Sequence, residues 1–258
     1  MSQLYFASAA RSAVGLVRNG NEDSAFTSSR VIAVADGMGG HAAGEVASRI
    51  AISKLNEISQ VITNPELDSE SADDLFINSL YTIDLEIKEA AEERPELSGM
   101  GTTLTSLFIA GDQLSLLHIG DSRAYRLRGS AFDQLSIDHT VIQELLNQGA
   151  ITEADVATHP QRSVLTQVLM GEGILNAPLE IFEGKVKDRY LLCSDGLSSV
   201  LTEKEIKSLI KGQDRVEAVN ALIDATYING APDNVTVIIA DIVEIPESDL
   251  TEKIGAAQ

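Results

Sequence analysis

Four aspartates border apolar, strand-like segments of the sequence, and these four residues have the clearest capacity for chemistry. Asp36 ends the run VIAVAD, Asp195 ends YLLCSD, and Asp121 ends LLHIGD. Asp233 stands just before the run NVTVIIA. If the four strand ends meet at one edge of the fold, their carboxylates cannot all stay ionised without compensation. Two alternatives remain: the aspartates are spread apart, or they hold cations.

Oxygen donors of this kind favour a hard cation such as Mg²⁺ or Mn²⁺, with water completing the coordination. Two such ions close together can lower the pKa of a shared water and stabilise the attacking and leaving oxygens of a phosphoryl transfer. Gly37, directly after Asp36, is expected to let the backbone turn sharply and to offer its carbonyl as a further ligand. A single Asp-Gly pair is more often an ordinary turn, so the prediction depends on the four aspartates together.

Composition excludes several classes of function. The chain has 258 residues, a net charge of −20 and 44% hydrophobic residues, so it can bury a core but would be repelled by nucleic acids and anionic membranes. Cys193 is the single cysteine, which excludes an intrachain disulfide. No apolar segment approaches the roughly 20 residues of a membrane span, and the first residues do not resemble a secretory signal. We therefore expect a cytoplasmic chain with no nucleic acid partner and no membrane segment. The sequence does not indicate an oligomeric state, and a monomer is taken as the default.

The pattern of the elements favours the α+β class. Four consecutive strand-like runs, TTLTSLFIA, QLSLLHIG, RAYRLRG and AFDQLS, are separated by short turns and predict an antiparallel meander. Helical patterns come in two blocks, one from about His41 through residues 73 to 93, the other after a capping box of Thr202 and Glu205. Helix pairs on either side of antiparallel strands predict a four-layer α-β-β-α sandwich of two sheets.

Two segments fall outside this sandwich. Residues 137 to 172 are dominated by short helical patterns, and we expect an inserted flap beside the sheet ends, more mobile than the sandwich. Residues 248 to 258 are polar and are expected to form a disordered tail. Residues 1 to 247, which include the flap, are predicted to form a single catalytic domain.

Simpler readings compete with the functional one. Arg18 and Glu22 are four residues apart, a spacing that also suits a surface ion pair. The segment GMGGHA, residues 37 to 42, fits the dinucleotide-binding fingerprint GxGxxA after a strand and before a helix. That nucleotide-binding alternative is disfavoured because the helix leads into TNPELDSESADD and not into a second strand ending in an acidic residue.

Eight motifs in one order cover nearly the whole chain, and together they resemble the metal-dependent protein serine/threonine phosphatases of the 2C type, in their bacterial form. The motifs are RNGNEDS (18 to 24), VADGMGGHAAGE (34 to 45), GMGTTLT (99 to 105), HIGDSRAYRL (118 to 127), LSIDHT (135 to 140), THPQR (158 to 162), LLCSDGL (191 to 197) and PDNVTVI (232 to 238).

The resemblance implies a role for each matching residue. Asp36 would bridge two Mn²⁺ or Mg²⁺ ions, with the Gly37 carbonyl on one ion and Asp195 and Asp233 on the other. Glu22 would hold metal-bound water. A third, weaker metal site would use Asp121 together with Asp195. Arg18 would bind the substrate phosphate, for which its fork of donors is well suited, and the nucleophile would be water or hydroxide on the metals.

One position departs from the family's eukaryotic pattern. Those relatives carry a histidine after Asp-Gly that is proposed to protonate the leaving group, and here the position is Met38. His41 is a candidate for the acid, and metal-bound water is the preferred one. An unchanged pH–rate profile in His41→Ala would favour water.

The resemblance implies hydrolysis of phosphoserine and phosphothreonine in proteins, opposing a bacterial serine/threonine kinase. The alternative is a catalytically silent regulatory or binding module on the same fold, which the intact aspartates and Arg18 disfavour. Some bacterial relatives continue into a transmembrane segment, so the chain could equally be the cytosolic domain of a longer membrane-anchored protein.

Overall fold

The fold is seen in a computed structural model, which describes residues 3–39, 43–64, 67–156, 159–173, 175–247 and 251–258. Twelve strands are present in these residues: β1 (Tyr5–Ala13), β2 (Asp23–Thr27), β3 (Val31–Met38), β4 (Gly101–Thr102), β5 (Leu104–Ala110), β6 (Gln113–Ile119), β7 (Arg123–Arg128), β8 (Ala131–Gln134), β9 (Glu180–Glu183), β10 (Arg189–Cys193), β11 (Val235–Val243) and β12 (Glu252–Gly255).

Seven α-helices accompany the strands, with one 3₁₀ turn at Pro95–Leu97. They are α1 (Ala43–Ile62), α2 (Ser69–Glu93), α3 (Val141–Asn147), α4 (Glu153–Val156), α5 (Asp195–Ser198), α6 (Glu203–Ile210) and α7 (Arg215–Ile228). The predicted capping box is confirmed: the Thr202 hydroxyl accepts from the Glu205 amide, and the Glu205 carboxylate accepts from the Thr202 amide.

The strands form two antiparallel sheets, which confirms the predicted architecture. Sheet I has the order β1-β11-β10-β7-β8, and sheet II has the order β12-β2-β3-β5-β6-β9 with β4 beside β3. Helices α1 and α2 pack on the outer face of sheet II, and α5, α6 and α7 pack on the outer face of sheet I. The result is a four-layer α-β-β-α sandwich.

Strand β3 shows why the core strands are apolar without alternation. Ile32 and Val34 point into the apolar layer between the two sheets, whereas Val31, Ala33 and Ala35 pack toward the helices on the outer face of sheet II. Because both faces of the strand are buried, every residue before Asp36 is apolar. The carboxylate of Asp36 therefore lies near the end of a rigid, fully buried strand.

The prediction of one meander from β5 to β8 is wrong. Strand β5 pairs with β6 and β7 pairs with β8, but β6 lies in sheet II and β7 in sheet I. The link between them crosses from one sheet to the other through Gly120, whose φ of 105° suits glycine. Local turn signals could not distinguish this crossing from a hairpin, and the crossing carries Asp121 to the edge that both sheets share.

The flap region contains the two predicted short helices, α3 and α4. Its later part is tied to the sandwich, because the Leu169 backbone bonds reciprocally with that of Thr102. The buried carboxylate of Asp84 on α2 also accepts from the backbone amides of Met170, Gly171 and Gly173, at 3.0, 2.7 and 2.8 Å. These contacts fix the end of the flap against α2.

The expectation of a disordered tail over residues 248 to 258 is wrong for residues 251–258, whereas residues 248–250 lie outside the described residues. Strand β12 pairs with β2 at the edge of sheet II, and Ile254 is buried with only 6% of its surface exposed. The Ala256 amide donates to the Asp23 carbonyl at 2.8 Å. A short polar strand of this kind depends on its partner strand, which composition alone does not reveal.

Within the described ranges, no helix is long and apolar enough to cross a membrane.

Candidate active site

Strands β2 and β3 bring two carboxylates side by side at one edge of sheet II. Asp23 and Asp36 are directly paired in the antiparallel register. The backbone of Asp36 is held on both sides: its amide donates to the Thr103 hydroxyl at 3.0 Å, and its carbonyl accepts from the Thr103 amide at 2.9 Å and the Thr102 hydroxyl at 3.0 Å. The position of Asp36 is thus fixed by β4 and the residue that follows it.

The other predicted aspartates reach the same edge. Asp195 opens α5 directly after β10, and its side chain lies near that of Asp36. Burial raises the pKa of Asp36 well above its usual range, and the charges of Asp23, Asp195, Asp121 and Asp233 raise it further. The carboxylates are therefore close enough to repel one another.

The same two causes act on Asp195 and Asp121, which together with Asp23, Asp36 and Asp233 form what we call the acidic edge. Burial raises the pKa of Asp195, and the charge of Asp233 adds to it. The pKa of Asp121 rises to about 7, first because of burial and then because of Asp195 and Asp138. These groups lack the compensation that a buried carboxylate needs to stay ionised at its ordinary pKa.

Asp23 belongs to this acidic edge, although the sequence reasoning assigned it no role. It is fully buried, and one carboxylate oxygen accepts from the Ser194 hydroxyl at 2.7 Å. Its other oxygen, Oδ1, has no hydrogen-bond partner among the described residues. Burial raises the pKa of Asp23 to about 7. The available signal in the sequence was its place beside Glu22, shortly before the strand that ends in Asp36.

Arg18 lies beside the acidic edge. Its Nη2 donates to Asp233 Oδ2 at 2.7 Å, and the Arg18 side chain is about half exposed, at 51%. This hydrogen bond raises the pKa of Arg18. The ion pair is with Asp233, whereas the sequence spacing had offered Glu22 as the surface partner. The guanidinium is anchored on one side and open to solvent on the other.

Asn234 holds the loop that carries Arg18, and the sequence reasoning did not single it out. Its amide nitrogen donates to the carbonyls of Val14 and Gly20, both at 2.8 Å, and its oxygen accepts from the Glu22 amide at 2.8 Å. Because Asn234 is buried, these three bonds fix the loop relative to Asp233.

The glycines beside the aspartates are required by close packing. Gly37 remains within strand β3, so the sharp turn expected there is wrong; a Cβ on Gly37 would lie 2.1 Å from the Gly44 carbonyl oxygen at the start of α1. A Cβ on Gly44 would in turn lie 2.8 Å from Glu22 Oε2. Burial raises the pKa of Glu22, which packs in this narrow space. A Cβ on Gly196 would lie 1.9 Å from the Asn234 carbonyl oxygen.

Comparison with known proteins agrees with this geometry. A model of the protein phosphatase 2C family matches residues 20–226. The serine/threonine protein phosphatase PstP of Mycobacterium tuberculosis is 42% identical over 239 residues, which cover 92% of this chain. This chain belongs to the protein phosphatase 2C family.

Other members of the 2C family extend the comparison. The serine/threonine phosphatase stp of Listeria monocytogenes is 33% identical, over 93% of this chain and 94% of its own length. A crystal structure of the catalytic domain of PstP in complex with two manganese ions has a TM-score of 0.84 at 39% identity, covering 93% of this chain and 99% of that one. The present chain spans 45% of the full length of PstP.

The residues that the family resemblance assigns to the metals are Asp36, Gly37, Asp121, Asp195, Asp233 and Glu22. The donors that they offer suit a metal centre. All are oxygen donors, which suit Mn²⁺ and Mg²⁺. Across the described ranges, no three His, Cys, Asp or Glu side chains converge closely enough to hold an ion between them. Like charges separate when no cation lies between them, and Mn²⁺ and Mg²⁺ keep several waters, so such a site does not need three tightly converging side chains. The buried Oδ1 of Asp23, which has no hydrogen-bond partner among the described residues, is an oxygen that a metal-bound water could contact.

The structure describes Met38, the position at which this chain departs from the family's eukaryotic pattern, but not the nearby His41. Met38 ends β3 with 41% of its surface exposed, next to the acidic edge. His41, the candidate acid, lies outside the described residues, so its role stays a prediction.

Proposed function

We propose that this chain is a metal-dependent protein serine/threonine phosphatase that hydrolyses phosphoserine and phosphothreonine in proteins. The observation that carries the proposal is the acidic edge, where Asp23 and Asp36 are paired across adjacent strands and where burial, together with the charges of four other aspartates, raises the pKa of Asp36. A fold gains nothing from burying several like charges together, so their presence indicates a bound cation. Family membership supports the same function, as does the serine/threonine phosphatase activity for which PstP and stp are named.

The ions would be two Mn²⁺ or Mg²⁺ per chain, with a third site beside them. Asp36, the Gly37 carbonyl, Asp195 and Asp233 would hold the two ions, with Glu22 acting through water. Asp121 would contribute to the third site together with Asp195. When bound, the ions supply Lewis-acid chemistry that polarises the phosphoryl group and lowers the pKa of a water nucleophile. The two manganese ions in the PstP catalytic domain support this assignment.

Arg18 would bind the substrate phosphate. Its Nη2 is held by Asp233, which leaves the exposed side of the guanidinium free to donate to phosphate oxygens. Asn234 and Asp233 hold the loop and the side chain in place before substrate arrives, which reduces the entropy lost on binding. The chain would thus present one fixed cation beside an otherwise acidic edge.

The partners follow from this activity. The substrates would be phosphorylated proteins, and the activity would oppose a serine/threonine kinase of the same cell. We further propose that the chain acts as a monomer in the cytoplasm, either by itself or as the cytosolic domain of a longer protein.

Hydrolysis of a phosphothreonine peptide tests the proposal. Protein stripped with a chelator is assayed alone, then with Mn²⁺ and separately with Mg²⁺. We expect activity only with metal, and none in a matched Asp36→Asn variant whose circular dichroism spectrum is unchanged. Metal-independent activity, or full activity in Asp36→Asn, would contradict the metal mechanism. A wild-type protein that binds metal but hydrolyses no phosphopeptide would favour the silent regulatory module.

A further inference from the structure

A surface groove with a cavity volume of about 640 Å³ lies at one end of sheet I. Four cationic side chains line it, together with one carboxylate and apolar residues such as Val186. The cations are Lys187, Arg189, Lys211 and Arg215, and the carboxylate is Asp241. We call this feature the basic groove.

The basic groove is remote from the acidic edge. Strand β11 begins at Val235, next to Asp233, and reaches Asp241 near its other end. At about 3.3 Å per residue, this separation is about 20 Å. Arg189 likewise opens β10, whereas Asp195 follows the end of that strand. A ligand in the groove would therefore not occupy the proposed active site.

The floor of the basic groove is rigid, and its two guanidinium groups are balanced by two carboxylates, Asp241 and Glu247. Arg189 bonds to Asp241 through Nε at 2.6 Å and Nη2 at 2.8 Å, while its Nη1 donates to the carbonyls of Ile210 and Gln213. Arg215 also pairs with Asp241, at 3.4 Å, and with Glu247 on its other side. One groove carboxylate is thus shared by two guanidinium groups.

The two lysines add positive charge at the rim. Lys187 and Lys211 are exposed, and neither makes an ion pair within the part of the chain that the structure describes. Lys187 also has a φ of 76°, a conformation that is unusual for a residue with a side chain. In a chain with a net charge of −20, these two lysines without an ion pair give the rim of the groove a local charge of opposite sign.

We propose that the basic groove is a docking site for an acidic polypeptide segment that carries apolar side chains. Charge complementarity selects the acidic residues, and the apolar lining, including Val186 with 44% of its surface exposed, accepts the apolar ones. The rigid floor lowers the entropic cost of binding. The site is independent of the phosphatase chemistry proposed above.

Binding of a fluorescent peptide of alternating glutamate and leucine tests the proposal at low ionic strength. Wild-type protein is compared with the double variant Lys187→Gln with Lys211→Gln. The matched control, Lys204→Gln with Lys207→Gln, removes the same charge from α6 outside the groove. We expect affinity to fall about tenfold or more in the groove variant and less than about twofold in the control. A peptide with serine in place of leucine should bind more weakly than the parent.

Hydrolysis of p-nitrophenyl phosphate should be unchanged in the groove variant, which separates docking from catalysis. The proposal is overturned if wild-type protein does not bind the peptide, or if both double variants lose affinity equally. Tighter binding of a single-stranded oligonucleotide than of the peptide would likewise overturn it, since the groove would then serve another class of partner.

Discussion

At the scale of single residues, Asp23 shows how the acidic edge couples charge to stability. Its pKa in the folded protein is about 7, raised by burial, against about 4 in an unfolded chain. The folded state thus holds a proton that the unfolded state releases between these values. Stability from this group is present below about pH 4 and is lost as the pH rises toward 7. Asp121, also with a pKa of about 7, acts in the same direction.

We therefore predict that chelator-treated protein is less stable at pH 8 than at pH 5.5. The measurement is the urea midpoint at the two pH values. Asp23→Asn, which is neutral at both, should show a smaller difference. A metal-free protein whose stability increases from pH 5.5 to pH 8 would show that the carboxylates are not buried together as described.

A substitution at Arg18 tests whether phosphate binding needs the planar shape of its guanidinium group. Arg18→Lys keeps a positive charge near Asp233 but loses the planar fork that can donate two parallel bonds to a phosphate. We expect kcat/KM for a phosphothreonine peptide to fall about 10- to 100-fold, with Mn²⁺ affinity unchanged. A fall in Mn²⁺ affinity of the same size would instead assign Arg18 to the assembly of the metal site.

At the scale of elements, α2 controls the end of the flap through Asp84. We predict that Asp84→Ala destabilises the protein by about 1 to 3 kcal/mol, because three backbone amides lose their acceptor. Asp84→Asn is the control: its remaining oxygen can still accept from Met170 and Gly171, so a smaller loss is expected. Urea unfolding measures both variants, and equal stability of Asp84→Ala and wild type would contradict this account.

Strand β12 is the second element with a direct test. Ile254 packs in the layer between the two sheets, and β12 pairs with β2 immediately beside Asp23. Ile254→Ala should cost about 2 to 4 kcal/mol of stability, measured by urea unfolding of metal-free protein. Glu252→Ala, at an exposed position of the same strand, should change stability little. If both substitutions were neutral, β12 would not belong to the sheet.

At the scale of the whole molecule, the sequence predicts what depends on local pattern. The apolar runs predict the strands of the two sheets, and the helical patterns, with the cap of Thr202 and Glu205, predict the outer helices. The four Asp positions predict most of the acidic edge. Contacts between distant segments could not be predicted in this way. The strand β12 forms because it pairs with β2, Asp84 binds the end of the flap, and Asn234 binds the loop before Glu22. Asp23 was assigned no role for the same reason, since its burial depends on Ser194, far along the chain.

The net charge of −20 affects the stability of the whole molecule. Mutual repulsion of carboxylates opposes the compact state, and the acidic edge concentrates part of that repulsion in a buried place. Bound divalent cations would relieve it, so metal binding and folding stability should be coupled. The central claim is therefore that the acidic edge is a metal centre with Asp36 as its shared ligand.

The most direct test is a calorimetric titration of chelator-stripped protein with Mn²⁺ at pH 8, in enough KCl to screen general attraction to the acidic surface. We predict two tightly bound Mn²⁺ ions per wild-type chain, and loss of both tight sites in Asp36→Asn. Two tight sites retained in Asp36→Asn, or none in the wild-type protein, would contradict the account.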